Sequence, residues 1–255
     1  MLTSVKKAAH IIEAFAGDRR DWSVIELSLH LDMPQPTIHH FLSSLKELGW
    51  ITQDRSSKRY KLGIKLWEIG CSAINFREVT ESARSHLVAL VDECGETAHL
   101  GTISTEDPKS VIYVDRVDSQ QPVRIVTTIG SRAPSHSSAM GKAILAFNEM
   151  LREQVLRAPL EQVTKFTITD PKLLAADLQK TRERGYSIGR GEFAGEMVGI
   201  AAPVYDHAGK ALYGVGIWAQ VARMTAEDIR QKAPAVVAAA EKISRSLGHV
   251  RKIHS

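Results

Sequence analysis

The chain has 255 residues, 44% of them hydrophobic and 24% charged, with a formal charge of +4. This is enough apolar material for one large core or two smaller ones, with the charge balance of a folded globular protein, so disorder is excluded. The apolar stretches at 198–205 and 233–240 are too short to cross a bilayer, and Lys6 and Lys7 precede no apolar run, so a cytoplasmic protein without membrane contact is expected.

In chain order, Val5, Ala8, Ala9, Ile12 and Phe15 recur at helical spacing, and Gly17 with the charged run 18–21 ends that pattern. Ser23 is placed to cap a second short helix with a buried stripe of Val24, Leu27 and Leu31. Asp32-Met33-Pro34 then forces a turn, because proline disfavours helical geometry in the residue before it. A third helix follows at once, with Ile38, Phe41, Leu42, Leu45 and Leu48 inward and Gly49 as its stop. Its outward face carries Gln35, Thr37, His39, His40 and Ser43. Two short helices joined by a tight turn, the second polar on its free side, are what a recognition helix needs to enter a major groove.

Residues 50–53 and 59–62 flank a polar segment and predict a β-hairpin. From 55 to 65 the chain holds Arg55, Lys58, Arg59, Lys61 and Lys65 and no acid. Lysine and arginine at a hairpin tip meet phosphates and supply the salt-sensitive part of DNA affinity, while the helix discriminates between sequences. Periodicity alone also fits a three-helix interaction domain with a solvated basic loop.

Residues 62–73 keep an apolar rhythm, and 79–94 predict an amphipathic helix with Ala83, Leu87, Leu90 and Val91 inward. The organisation expected is a head at 1–62, a helical linker at 63–77 and a second domain at 78–250. There, strands are predicted at 97–105, 111–117, 123–129, 199–205 and 211–218, and helices near 138–147, 149–157, 173–184 and 225–247, the last capped by Thr225. Hairpin-connected strands with helices around them predict an α+β domain with an antiparallel sheet. Ser137, Ser138 and the amides of Ala139 and Met140 open a helix, where unpaired N–H groups favour an anion such as a carboxylate.

Several chemistries find no support. No G-x-G-x-x-G or Walker A pattern occurs, the histidines show no metal-ligand spacing, and His136 beside its serines lacks a Gly-x-Ser-x-Gly elbow, so neither metal, cofactor nor catalytic site is expected. Cys71 and Cys94 are the only cysteines and sit in no C-x-x-C pattern, which predicts two small buried residues.

The run Met33-Pro34-Gln35-Pro36-Thr37-Ile38-His39-His40-Phe41-Leu42, continuing through Gly49-Trp50-Ile51 to Arg59-Tyr60-Lys61-Leu62-Gly63, resembles the DNA-binding domain of IclR-type transcriptional regulators. Ser137-Ser138-Ala139-Met140-Gly141-Lys142-Ala143, Arg184-Gly185-Tyr186 and Gly199-Ile200-Ala201-Ala202-Pro203-Val204 are similar to that family's GAF-like effector domain. The chain departs from the family pattern at Asp32, Pro36 and His40, where glycine, lysine or serine, and arginine are usual. A histidine near phosphate is expected to make DNA affinity pH-dependent.

The resemblance implies a winged helix-turn-helix head, a helical linker and a GAF-like α+β effector domain. It implies DNA contacts by Gln35, Thr37, His39, His40, Ser43, Arg55, Lys58, Arg59 and Lys61. Effector contacts are implied for Ile125, Ser138, Ala139, Met140, Gly189, Glu192, Gly199, Gly216 and Trp218. The glycines are read as leaving volume in the pocket, and Trp218 as a flat face for a ring or a sugar. The function implied is a ligand-responsive regulator, a repressor of catabolic genes released from a double-stranded operator by an organic, sugar or aromatic acid. A homodimer or tetramer is implied with it. A redox sensor or enzyme using Cys71 and Cys94, and a DNA-binding scaffold with a vestigial pocket, are the competing readings.

Overall fold

A computed structural model of the chain describes residues 3–16, 19–73, 76–105, 107–121 and 127–250. The chain divides into two compact units, Met1–Arg77 and Glu78–Ser255.

The first unit opens with α1 (Thr3–Ala14), α2 (Val24–Leu31) and α3 (Gln35–Glu47). Ser23 caps α2 through a reciprocal pair: its hydroxyl accepts from the Glu26 amide and the Glu26 carboxylate accepts from the Ser23 amide. At the far end Asp32 takes a left-handed conformation (φ 50°), which accounts for the glycine usual at that position. Pro36 lies in the first turn of α3, where a missing N–H is tolerated. The core is built from Ile11, Phe15, Trp22, Leu27, Ile38, Leu42, Leu45, Ile51 and Tyr60.

One expected inward position is corrected, and α1 buries a residue, Ile11, that its apolar pattern left out. Leu48 follows the last turn of α3 and is 60% exposed, and on α1 the face turned inward is that of Ile11 and Phe15, leaving Val5 and Ala9 in solvent. Leu48 is the C-cap of α3, past the turns that pack on the core, and along a helix one step of 100° moves a side chain from core to water.

The hairpin forms as β1 (Ile51–Gln53) and β2 (Tyr60–Leu62), paired antiparallel. Trp22 adds a bridge to Tyr60, exchanging two backbone hydrogen bonds with it, which ties the wing to the start of α2. Helix α4 (Ile64–Ala73) follows, with Ile64 and Trp67 exposed.

The second unit begins with α5 (Phe76–Cys94), whose Ala83, Leu87, Leu90 and Val91 are buried as the periodicity predicts. Among the described residues its sheet has six antiparallel strands in the order β5-β4-β3-β8-β7-β6. These are β3 (Thr97–Ile103), β4 (Ser110–Val117), β5 (Arg132–Pro134), β6 (Ser187–Arg190), β7 (Met197–Tyr205) and β8 (Ala211–Gln220). Of the strand predicted at 123–129, residues 123–126 lie outside the described residues and 127–129 are not in a strand; among the described residues that edge of the sheet is the later β5. Strand β6, four residues long with two polar ends, carried no alternation to betray it.

The sheet alternates cleanly between two cores. Ala98, Leu100, Val198, Ile200, Val215 and Ile217 face α5 and α9 (Ala226–Ser246), the latter capped by Thr225 and Asp228. Ile103, Val111, Tyr113, Ala201 and Trp218 face α6 (Ala139–Phe147), α7 (Glu149–Leu156) and α8 (Pro171–Arg184). No helix among the described residues is long and apolar enough to cross a membrane.

Candidate DNA-reading head and effector cavity

In the head, Ile38, Leu42 and Leu45 anchor α3 from below, which turns Gln35, His39, His40 and Ser43 outward; all four are exposed and Thr37 is half-buried. A polar ridge is thus held on a rigid core, the arrangement that gives side chains access to base edges. At the wing tip the Asp54 carboxylate accepts from the amides and hydroxyls of Ser56 and Ser57, which hold it well below the usual carboxylate range. Arg55, Lys58 and Lys61 project into solvent around that turn.

Arg59 belongs elsewhere. Its guanidinium donates to Asp21 Oδ1 at 2.9 Å, to the Asp21 carbonyl at 3.2 Å and to Glu26 Oε2 at 2.7 Å. Glu26 in turn is paired with Arg19, and the Ser23 amide, chief among its partners, helps lower its carboxyl to about 2. With two acids already bound, Arg59 brings little free charge to the tip and instead clamps the wing to α2.

In the second unit, a cavity opens at the start of α6, lined by Ser137, Ser138, Ala139, Gly189, Phe193, Met197, Gly199 and Trp218. Its volume of about 10 Å³ is room for one water, far less than an organic acid needs. Four of the residues implied by resemblance therefore meet there with Ser138: Ala139, Gly189, Gly199 and Trp218. Met140 does not line it; its side chain lies over Gly101 and Gly214, where an added Cβ would come within 2.3 and 2.8 Å of it. Gly216 faces neighbouring backbone, a Cβ there reaching 2.4 Å from the Ile200 carbonyl oxygen, and Ile125 lies outside the described residues. The glycines thus serve close packing of helix on sheet. At Gly189 and Gly199 a Cβ would press on Ala139 at 3.0 Å, so the volume expected above them is filled by α6.

Glu192 does not line the cavity either. Its Oε1 accepts from Lys142 Nζ at 2.7 Å, and Lys142, 1% exposed, also pairs with Asp177 Oδ2 at 2.9 Å. Burial pushes the Glu192 carboxyl up and the lysine pulls it back. Thr164 and Thr167 donate to the Gly191 and Glu192 carbonyls, so the segment that roofs the cavity is held from two sides. Lys142 was legible only as a lone cation inside an otherwise apolar helix.

Sequence reasoning also missed His99 and Tyr113, whose rings lie 5.9 and 5.8 Å from that of Trp218 and 5.4 Å from each other. Their one signal was a polar residue recurring on a strand face otherwise given to the core. His99 accepts or donates through Nε2 to Thr127 Oγ1 at 2.5 Å, and burial, with Arg116 nearby, lowers it to about 3, so the ring is neutral. Cys94 is buried and desolvation pushes its thiol up to about 11, which leaves it inert toward mild oxidants. Among the described residues no group of three or more His, Cys, Asp or Glu is placed to hold a metal.

A family model for the IclR helix-turn-helix domain matches residues 4–55, and one for the bacterial transcriptional regulator IclR C-terminal domain matches residues 71–245. The HTH-type transcriptional regulator KdgR of Escherichia coli strain K12 is 32% identical over 250 residues, spanning 97% of this chain and 94% of that protein. An IclR transcriptional regulator from Alicyclobacillus acidocaldarius superposes with a TM-score of 0.82 at 26% identity, covering 97% of this chain and 100% of the other. For Thermotoga maritima IclR the TM-score is 0.74 at 31% identity, with 98% and 100% covered.

Proposed function

Since the chain belongs to the IclR family of bacterial transcriptional regulators and is a ligand-responsive DNA-binding protein, we propose that it represses catabolic genes and is released by a small carboxylate. The exposed face of α3 reads the operator through Gln35, Thr37, His39, His40 and Ser43, and Arg55, Lys58 and Lys61 of the wing hold phosphates. The protein acts in the cytoplasm as a homodimer or tetramer, its heads reading half-sites roughly 34 Å or a multiple apart. It performs no catalysis.

The observation that carries this reading is the polar ridge of α3, exposed beside a cationic turn and backed by its own core. The carboxylate follows from the amides opening α6 beside Ser137 and Ser138. To admit it, residues 191–196 lift, since the cavity as it stands holds a single water. A ligand alters DNA affinity only through a difference in its own affinity for the DNA-bound and free states.

The test is a gel-shift titration of the purified protein with the DNA upstream of its own gene. Binding at nanomolar protein that survives excess random-sequence DNA is expected. Retardation equal on random DNA at every salt concentration would overturn the assignment of α3.

A further inference from the structure

Seven buried side-chain polar atoms among the described residues have no hydrogen-bond partner, and four belong to one neighbourhood: His99 Nδ1, Tyr113 OH, Ser137 Oγ and Trp218 Nε1. Such groups are costly to leave unpaired, and native interiors hold few. Here they are gathered. Ser137 and Trp218 share the wall of the cavity at the start of α6, and the rings of His99 and Tyr113 pack directly against the indole. All four side chains are more than nine-tenths buried. The floor beneath is bare backbone, for a Cβ at Gly199 would lie 3.6 Å from Trp218 Nε1.

The charges around this cluster are already satisfied. Lys142 is held by Asp177 and Glu192, and Arg116 by Asp118 and the Thr127 carbonyl, so among the described residues around the cluster both cations are already paired and neither waits for a second carboxylate. What remains is one anion site, made by the helix N-terminus with the Ser137 hydroxyl and the Trp218 N–H, and one neutral pair that donates and accepts.

We propose that the effector is a monocarboxylate carrying an uncharged hydroxyl or keto oxygen at its far end, the carboxylate taken at Ser137 and Trp218 and the far oxygen by Tyr113 OH and His99 Nδ1. This deepens the reading of the second unit as an effector domain and rests on it. Tyr113 and His99 are then the residues that decide which acid is accepted, and the indole of Trp218 lies along the body of the ligand.

The experiment uses the full chain without DNA, in thermal-shift and calorimetric titrations with two matched sets: para-hydroxybenzoate, benzoate and terephthalate, and gluconate, hexanoate and glucarate. One hydroxylated monocarboxylate is expected to bind, with its unsubstituted and dicarboxylic counterparts at least tenfold weaker; which set responds tells whether the body is a ring or a chain. Tyr113→Phe is expected to fold normally, since its hydroxyl has no partner to lose, and to erase the preference for the hydroxylated acid. Ser137→Ala is expected to weaken the hydroxylated and unsubstituted acids alike. Equal or tighter binding of an unsubstituted or dicarboxylic acid, silence from both sets, or a preference unchanged in Tyr113→Phe overturns the proposal. Failure of operator binding, measured separately, would overturn the role of the head and leave these affinities standing.

Discussion

Lys142 Nζ sits 2.7 Å from Glu192 Oε1, a fully buried cation on α6 gripping the residue just before Phe193. Phe193 meets Trp218 edge to face at 5.7 Å, so the ion pair and the aromatic contact together set the roof of the cavity. Asp177 on α8 completes the triad.

Removing the cation leaves the buried Glu192 carboxylate, and the part-exposed Asp177 beside it, without a counter-charge. Lys142→Met is expected to cost about 3–5 kcal/mol at neutral pH, as breaking a buried pair from one side does. Urea unfolding measures it, and a loss below about 1 kcal/mol would show that the triad does not anchor the roof.

Glu192 gives this region a pH signature. Its carboxyl is raised in the folded state, mainly by burial, so the folded chain holds that proton to higher pH than the unfolded chain, whose value is near 4.5. The stabilisation is complete below that value and is lost as pH rises through the folded one. Glu192→Gln carries no such loss. The stability of the parent relative to the variant is therefore expected to fall between pH 4.5 and neutrality, and parallel denaturation curves across that range would refute the assignment.

The wing separates into charges that meet DNA and one that does not. Arg55→Ala with Lys58→Ala should lower affinity for all sequences and reduce the slope of log K against log salt by about 0.9 for each phosphate no longer neutralised. Arg59→Ala, whose guanidinium is engaged with Asp21 and Glu26, should lower the melting temperature of the head and leave that slope unchanged. Salt titrations by fluorescence anisotropy distinguish them.

Gly141 allows α6 to start directly under the Ser135 backbone: a Cβ there would lie 2.2 Å from the Ser135 carbonyl oxygen. Neither backbone can yield cheaply, so Gly141→Ala is expected to destabilise the second unit by about 1–3 kcal/mol or more. A variant that melts like the parent would mean that the helix start can shift.

At Asp32, φ 50° suits glycine better than any L residue. Asp32→Gly is expected to gain about 0.5–1 kcal/mol, the left-handed cost outweighing the extra freedom glycine has when unfolded. Chemical denaturation of the two forms decides it.

Much of the architecture was legible in the sequence, because its signals are local. Ser23 and Thr225 announce helix starts by capping chemistry, Asp32 to Pro34 announces a turn, and the apolar rhythm of α5 names its own buried face. The short strand β6 was not legible, since four residues with polar ends give no period.

By itself the sequence determined the helix-turn-helix head with its basic wing, the α+β class of the second unit and the family. Only the tertiary structure decided which arginine at the wing is spent on Asp21 and Glu26, that Lys142 and Glu192 neutralise each other, and that α6 fills the space above Gly189 and Gly199. The reason is physical: a cap or a period is written in adjacent residues, whereas the free charge of a side chain and the room above a glycine depend on whatever distant part of the chain comes to rest against them.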